Sequence, residues 1–106
     1  NPAPANNVTK EDIRVWDGVP APGYGRIGPR SLEAISLMAS LEGLFLDPIY
    51  TAKSFSAIPS LVKTGDIPKG ARVCFVQTGG LAALYAMRMK ISSHICLVSK
   101  VHSSIF

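Results

Sequence analysis

Two short stretches of this 106-residue chain place groups capable of chemistry at the end of an apolar run. The first, DPIYTAKSF, offers Asp47, Tyr50, Thr51 and Lys53; the second, FVQTGGLAALY, offers Gln77, Thr78, Gly79 and Gly80. Each run leads into helical spacing. Orphan backbone N–H groups and the helix dipole gather ligands at such strand-to-helix edges. Each residue also has a plainer reading. Asp47 ahead of Pro48 suits a turn or cap, Thr51 and Thr78 suit helix caps, Tyr50 suits a core tyrosine, and Lys53 suits a solvated helix lysine. The Gly79–Gly80 pair lacks the third glycine and following lysine of a phosphate loop. His94 and His102 stand eight apart without a neighbouring carboxylate, and Cys74 and Cys96 form no CxxC pair, so no metal site is expected.

The elements that must position these groups follow from the apolar spacing. Residues 1–17 read as a linker with a short strand around Ile13 to Trp16. Gly18 to Pro29 holds four Gly and three Pro, which makes a loop of fixed turns. Pro29 to Glu42 is predicted helical: Pro29 fits the first helical position, Leu32, Ile35, Met38 and Ala39 share a face, and Gly43 is a helix stop. Leu44 to Asp47 suits a short buried parallel strand. A second helix is predicted from about Thr51 to Lys63, with Phe55, Ile58, Leu61 and Val62 on one side and a kink or restart at Pro59. Arg72 to Thr78 reads as the best strand, and Leu81 to Met87 as a third helix. This order predicts an α/β fold: a βαβ unit with flanking helices, part of a doubly wound parallel sheet. Two strands make a poor sheet alone, so a larger sheet is implied.

The totals narrow the classes. One domain fits this length, and 47% hydrophobic with 17% charged residues describes a globular chain. Residues 1–87 carry eight Lys/Arg against all seven Asp/Glu, whereas residues 88–106 carry Arg88, Lys90 and Lys100 with no acid. The basic balance therefore belongs to the end of the chain, and without a nucleic-acid motif it does not predict a nucleic-acid binder. No apolar run approaches the roughly 20 residues that span a bilayer. The first residues, NPAPANNVTKEDIR, have no basic region followed by an apolar stretch, so no signal peptide is expected; a start on Asn is compatible with a cut from a longer chain. Two cysteines fit a reducing compartment, cytoplasmic with mitochondrial as the alternative.

The stretches SLEAISLMASLEGLFLDPIYTAKSF and VCFVQTGGLAALYA, with the PGYG turn at Pro22 to Gly25, resemble the C-terminal part of the D-cysteine desulfhydrase and 1-aminocyclopropane-1-carboxylate deaminase family. That family consists of fold-type II, pyridoxal-phosphate enzymes similar to the tryptophan synthase β chain. The likeness runs from about residue 8 to residue 87. It divides the chain into 1–17, a domain portion 18–87 and a divergent basic tail 88–106. It implies that Tyr50 is catalytic, as proton donor or acceptor on the substrate side. It implies that Thr78, Gly79, Gly80 and Thr51 bind cofactor, and that Gly23, Tyr24 and Gly25 form a substrate loop. Thr78 would face the pyridine nitrogen, where a hydroxyl makes the ring a weaker electron sink than a carboxylate would. Thr51 stands where the deaminase branch has Glu, which favours the desulfhydrase-like branch.

The implied reaction is α,β-elimination of D-cysteine to pyruvate, sulfide and ammonia, with a small amino acid as substrate and a homo-oligomer as the assembly. The alternatives are a deaminase-like activity and a non-catalytic piece that acts by docking on a partner. The sequence departs from the family in Gln77 for His, Ala52 for Gly, and the intruding Pro59. Neither the Schiff-base lysine nor the phosphate loop is recognisable in these residues, so the chain alone is expected to be inactive.

Overall fold

The computed structural model describes residues 7–18 and 22–93. Residues 1–6 of the linker and 94–106 of the tail, with His94, Cys96 and His102, lie outside the described residues. A 3-10 turn at Lys10–Asp12 comes first, closed by the Asp12 carboxylate, which accepts the Thr9 N–H and hydroxyl at 2.9 Å each. Residues 13–16 are exposed and form no strand, so the short strand expected there is absent.

Helix α1 spans Pro29–Glu42, with Pro at its start as read from the sequence. Gly43 ends it in the left-handed region at φ 66°, a conformation only glycine adopts cheaply, and its N–H bonds back to the Met38 carbonyl. Helix α2 spans Thr51–Thr64 and ends at Gly65. It runs through Pro59 as one helix rather than restarting, although proline there cannot donate to the carbonyl four residues back. Helix α3 is short, Ala82–Ala86, and residues 88–93 are again helical.

α1 packs on α2 through small residues. The buried positions are Ser31, Ala34 and Ile35 of α1 and Thr51, Ala52 and Ser56 of α2. The expected faces are met in part: Ile35 is in the core, and Leu32, Met38 and Phe55 pack against it. In α1 the buried stripe turns toward Ser31 and Ala34, leaving Leu32 and Met38 only partly buried. In α2 the larger Phe55, Ile58 and Leu61 stay at the margin. Small side chains at most of these positions let two helix backbones approach closely, and Ile35 is the largest side chain buried with them. The core is completed by Leu46 and by Ile91, which reaches in from the segment after α3.

The expected parallel sheet is not formed among the described residues. Leu44–Asp47 and Arg72–Thr78 are extended, but no backbone hydrogen bond joins them and neither is a strand. A single side chain links them: Gln77 Nε2 donates to the Phe45 carbonyl at 2.7 Å. The edge-on contact of Phe75 with Phe55, ring centres 5.4 Å apart at 82°, fixes the second segment against α2. Leu44, Phe45, Val73 and Val76 are all exposed. Parallel strands persist only in sheets covered on both faces, and two alone fall short of a stable sheet. Among the described residues the fold is therefore a helical pair with extended connections, not a doubly wound α/β sheet.

Candidate functional site

Asp47 organises the first edge. It is fully buried, and its carboxylate accepts four hydrogen bonds from the start of α2. Oδ1 takes the amides of Ile49 at 2.9 Å and Tyr50 at 2.8 Å, while Oδ2 takes the Thr51 amide at 2.7 Å and the Thr51 hydroxyl at 2.6 Å. The Thr51 oxygen in turn accepts the Asp47 amide at 2.8 Å. Burial pushes the Asp47 carboxyl up, but the bonds from the Thr51 hydroxyl and from the Thr51, Tyr50 and Ile49 amides outweigh it, so the group lies below its ordinary value. Asp47 is thus the cap of α2, the plainer of its two sequence readings. It places a fixed negative charge where the helix dipole would otherwise attract an anion.

The second edge closes onto this cap. Gly80 sits at φ 91°, and a Cβ there would stand 2.8 Å from Asp47 Cγ and 3.0 Å from Oδ2. Only glycine lets residues 79 and 80 pass so near the carboxylate. Gly79, at φ 105°, has open space where a Cβ would be, and Thr78 is exposed. The amides of Ala83 and Leu84 at the start of α3 are already bonded to the Gly80 and Leu81 carbonyls.

Tyr50 occupies the N-cap position of α2 and is half exposed. Its hydroxyl meets the Tyr24 hydroxyl at 2.7 Å, with ring centres 6.0 Å apart at 58°. The hydrogen bond with Tyr24, the charge of that neighbour once ionised, partial desolvation and the nearby Asp47 all raise Tyr50 above the usual tyrosine value. At neutral pH the Tyr50 phenol therefore carries its proton. Tyr24 comes from the Pro22–Gly25 turn, where Gly23 and Gly25 take φ of 95° and 68°. Lys53 Nζ donates to the Gly23 carbonyl. Lys53 is therefore tied to that turn, not simply solvated as its sequence position suggested.

The structure thus joins Tyr24 to Tyr50, Gly23 to Lys53 and Gly80 to Asp47. It does not turn the Thr51 hydroxyl outward, since Asp47 uses it both as donor and as acceptor. Asp47 as anchor of the site was foreshadowed by its place four residues before Thr51 and two before Ile49, a spacing at which a carboxylate reaches the first free amides of a helix. The Lys53 tether had no signal in the sequence, because its partner is a backbone carbonyl 30 residues away.

Of the residues that the resemblance assigns to a pyridoxal-phosphate site, Thr78 is exposed and Gly79 has open space where a Cβ would be. The phosphate does not fit at α2, where a carboxylate already holds the amides, and Lys53 is engaged by a carbonyl. Among the described residues no group of three or more His, Cys, Asp or Glu could hold a metal, and no helix is long and apolar enough to cross a membrane.

No family model matches the chain. Over 75 residues it is 40% identical to D-cysteine desulfhydrase of Salmonella newport (strain SL254), and equally to those of Salmonella heidelberg (strain SL476) and Salmonella schwarzengrund (strain CVM19633). The match takes in 71% of this chain and 23% of each relative, so the chain spans about a quarter of the length of these relatives. Residues positioned around Asp47 and the tyrosine pair thus belong to a chain that carries a partial D-cysteine desulfhydrase-like region.

Proposed function

We propose that this chain forms the substrate-side wall of a D-cysteine desulfhydrase-like lyase site. The observation that carries the reading is the hydroxyl pair of Tyr24 and Tyr50, held beside the Asp47–Gly80 contact in a chain similar to those enzymes. In the reaction, D-cysteine and water give pyruvate, hydrogen sulfide and ammonia. Pyridoxal phosphate, when bound in a complete site, supplies the electron sink. The work of this chain is to orient and to hold protons. Tyr50 is protonated at neutral pH and raised above its ordinary range, so it acts as a hydrogen-bond or proton donor toward the substrate and not as a base. Tyr24 sets the direction of that hydroxyl. Thr78 offers a neutral contact at the ring edge, which suits expulsion of a β-leaving group. With its hydroxyl locked to Asp47, Thr51 contributes by shaping α2 and not by touching cofactor.

Two measurements test the reading. The purified chain mixed with pyridoxal phosphate should give neither an aldimine absorbance nor sulfide from D-cysteine, because the described residues fit only part of the cofactor. Its 75-residue region exchanged into the Salmonella newport enzyme should sustain sulfide release. Tyr50→Phe in that chimera should lower kcat by about 100-fold or more, the usual worth of a positioned acid. A folded, cofactor-loaded chimera that releases no sulfide would count against the proposal, as would full activity of the phenylalanine variant.

A second reading, a non-catalytic piece that works by docking, is favoured by one feature. Phe45, Val73 and Val76 are exposed on extended segments whose backbone is unpaired with one another.

A further inference from the structure

We infer that Lys53 is a positioning residue: by donating to the Gly23 carbonyl it holds the Pro22–Gly25 turn so that the Tyr24 hydroxyl meets that of Tyr50. The inference deepens the reading of the tyrosine pair as the substrate-facing wall and rests on it.

Tyr24 is the weak member of the pair. The residue is 80% exposed, and it stands between two glycines at positive φ. Glycine is the residue with the most backbone freedom, so such a turn has many conformations to choose from. Within the turn, the Arg26 amide reaches the Gly23 carbonyl only at 3.4 Å. An exposed hydroxyl pair is modest in strength and competes with water, so it cannot by itself select one conformation of a glycine-flanked loop.

Lys53 adds the second point of attachment. It lies three residues after Tyr50, the spacing at which side chains on a helix share a face. Tyr50 and Lys53 therefore project from the same first turn of α2, the turn that Asp47 fastens with four hydrogen bonds. One reaches Tyr24 and the other reaches Gly23, adjacent residues of the opposing turn. A charged donor makes the stronger kind of hydrogen bond to a carbonyl. Asp17 lines the same cleft as Lys53, together with Trp16, Ser54 and Ala57, yet the ammonium bonds to the Gly23 carbonyl. A chain of restraint runs from Asp47 through the first turn of α2 and Lys53 to Gly23 and Tyr24.

The test uses the whole chain at neutral pH and reads the nuclear Overhauser cross-peak between the Tyr24 and Tyr50 rings. In wild type the cross-peak is present. Lys53→Met should abolish it while the amide resonances of Ile49, Tyr50 and Thr51 stay in place, which shows the cap intact. Lys53→Arg, which keeps a charged donor, should restore it. A cross-peak as intense in Lys53→Met as in wild type overturns the inference, and so does a wild-type chain that lacks it. Lys53→Gln provides the same reading should the methionine variant fail to fold. Because the readout needs no turnover, a sulfide-inactive chimera with the cross-peak intact would remove the proposed activity and leave the role of Lys53 standing.

Discussion

The carboxylate of Asp47 is buried and accepts four donors, so its charge is an integral part of the start of α2. Asp47→Asn keeps the size but loses the charge-assisted bonds and sets an amide N–H₂ toward donors. The expected loss is about 1–3 kcal/mol, read as a lower urea midpoint at pH 7. Acid titration gives an independent check. The folded carboxyl lies below 3.8, its unperturbed value, so its contribution is complete above about pH 4 and fades as pH falls through the lower folded value. The asparagine variant should therefore lose less stability than wild type on going from pH 5 to pH 2. An unchanged acid limb would show that Asp47 is not the group responsible.

Among elements, α2 carries the site and also an internal proline. Pro59 lies on the exposed side, and the helix passes through it. Its ring leaves the Phe55 carbonyl without its helical donor and crowds the preceding turn, a cost of up to about 3 kcal/mol. Pro59→Ala should raise helical circular dichroism and the thermal midpoint. A fall in midpoint would mean that proline's stiffness in the unfolded chain outweighs the lost bond. Because the first turn of α2 is fixed separately by Asp47, the same change should leave the Tyr24–Tyr50 contact undisturbed.

Across the whole molecule, burial is uneven. Among the described residues five apolar side chains form the core, Ala34, Ile35, Leu46, Ala52 and Ile91. By contrast Leu44, Phe45, Val73, Val76 and Tyr85 stand in solvent. Exposed apolar residues on extended segments invite pairing with another chain. The chain should therefore self-associate as its concentration rises, seen as growing mass in sedimentation equilibrium. Val76→Lys, at a position that is 72% exposed, should shift the distribution toward monomer without lowering stability. A strictly monomeric wild-type chain would contradict this.

What local sequence dictates was legible. Pro29 and Gly43 bound α1, the spacing after Pro48 gave α2, and Gly79–Gly80 marked the start of α3. Each follows from backbone preferences acting over a few residues. The quoted stretches also carried the resemblance to D-cysteine desulfhydrases that the 40% identity shows. The sheet was misjudged because apolar runs such as Leu44–Asp47 and Arg72–Thr78 specify a strand only when neighbours supply hydrogen bonds and cover, and pairing is a property of the assembled fold. The meeting of Tyr24 with Tyr50, the tether from Lys53 to Gly23 and the approach of Gly80 to Asp47 link residues 26 to 33 positions apart. No local preference encodes such distances; they were decided by the packing of α1 on α2 and by the turns that return the chain to the buried carboxylate.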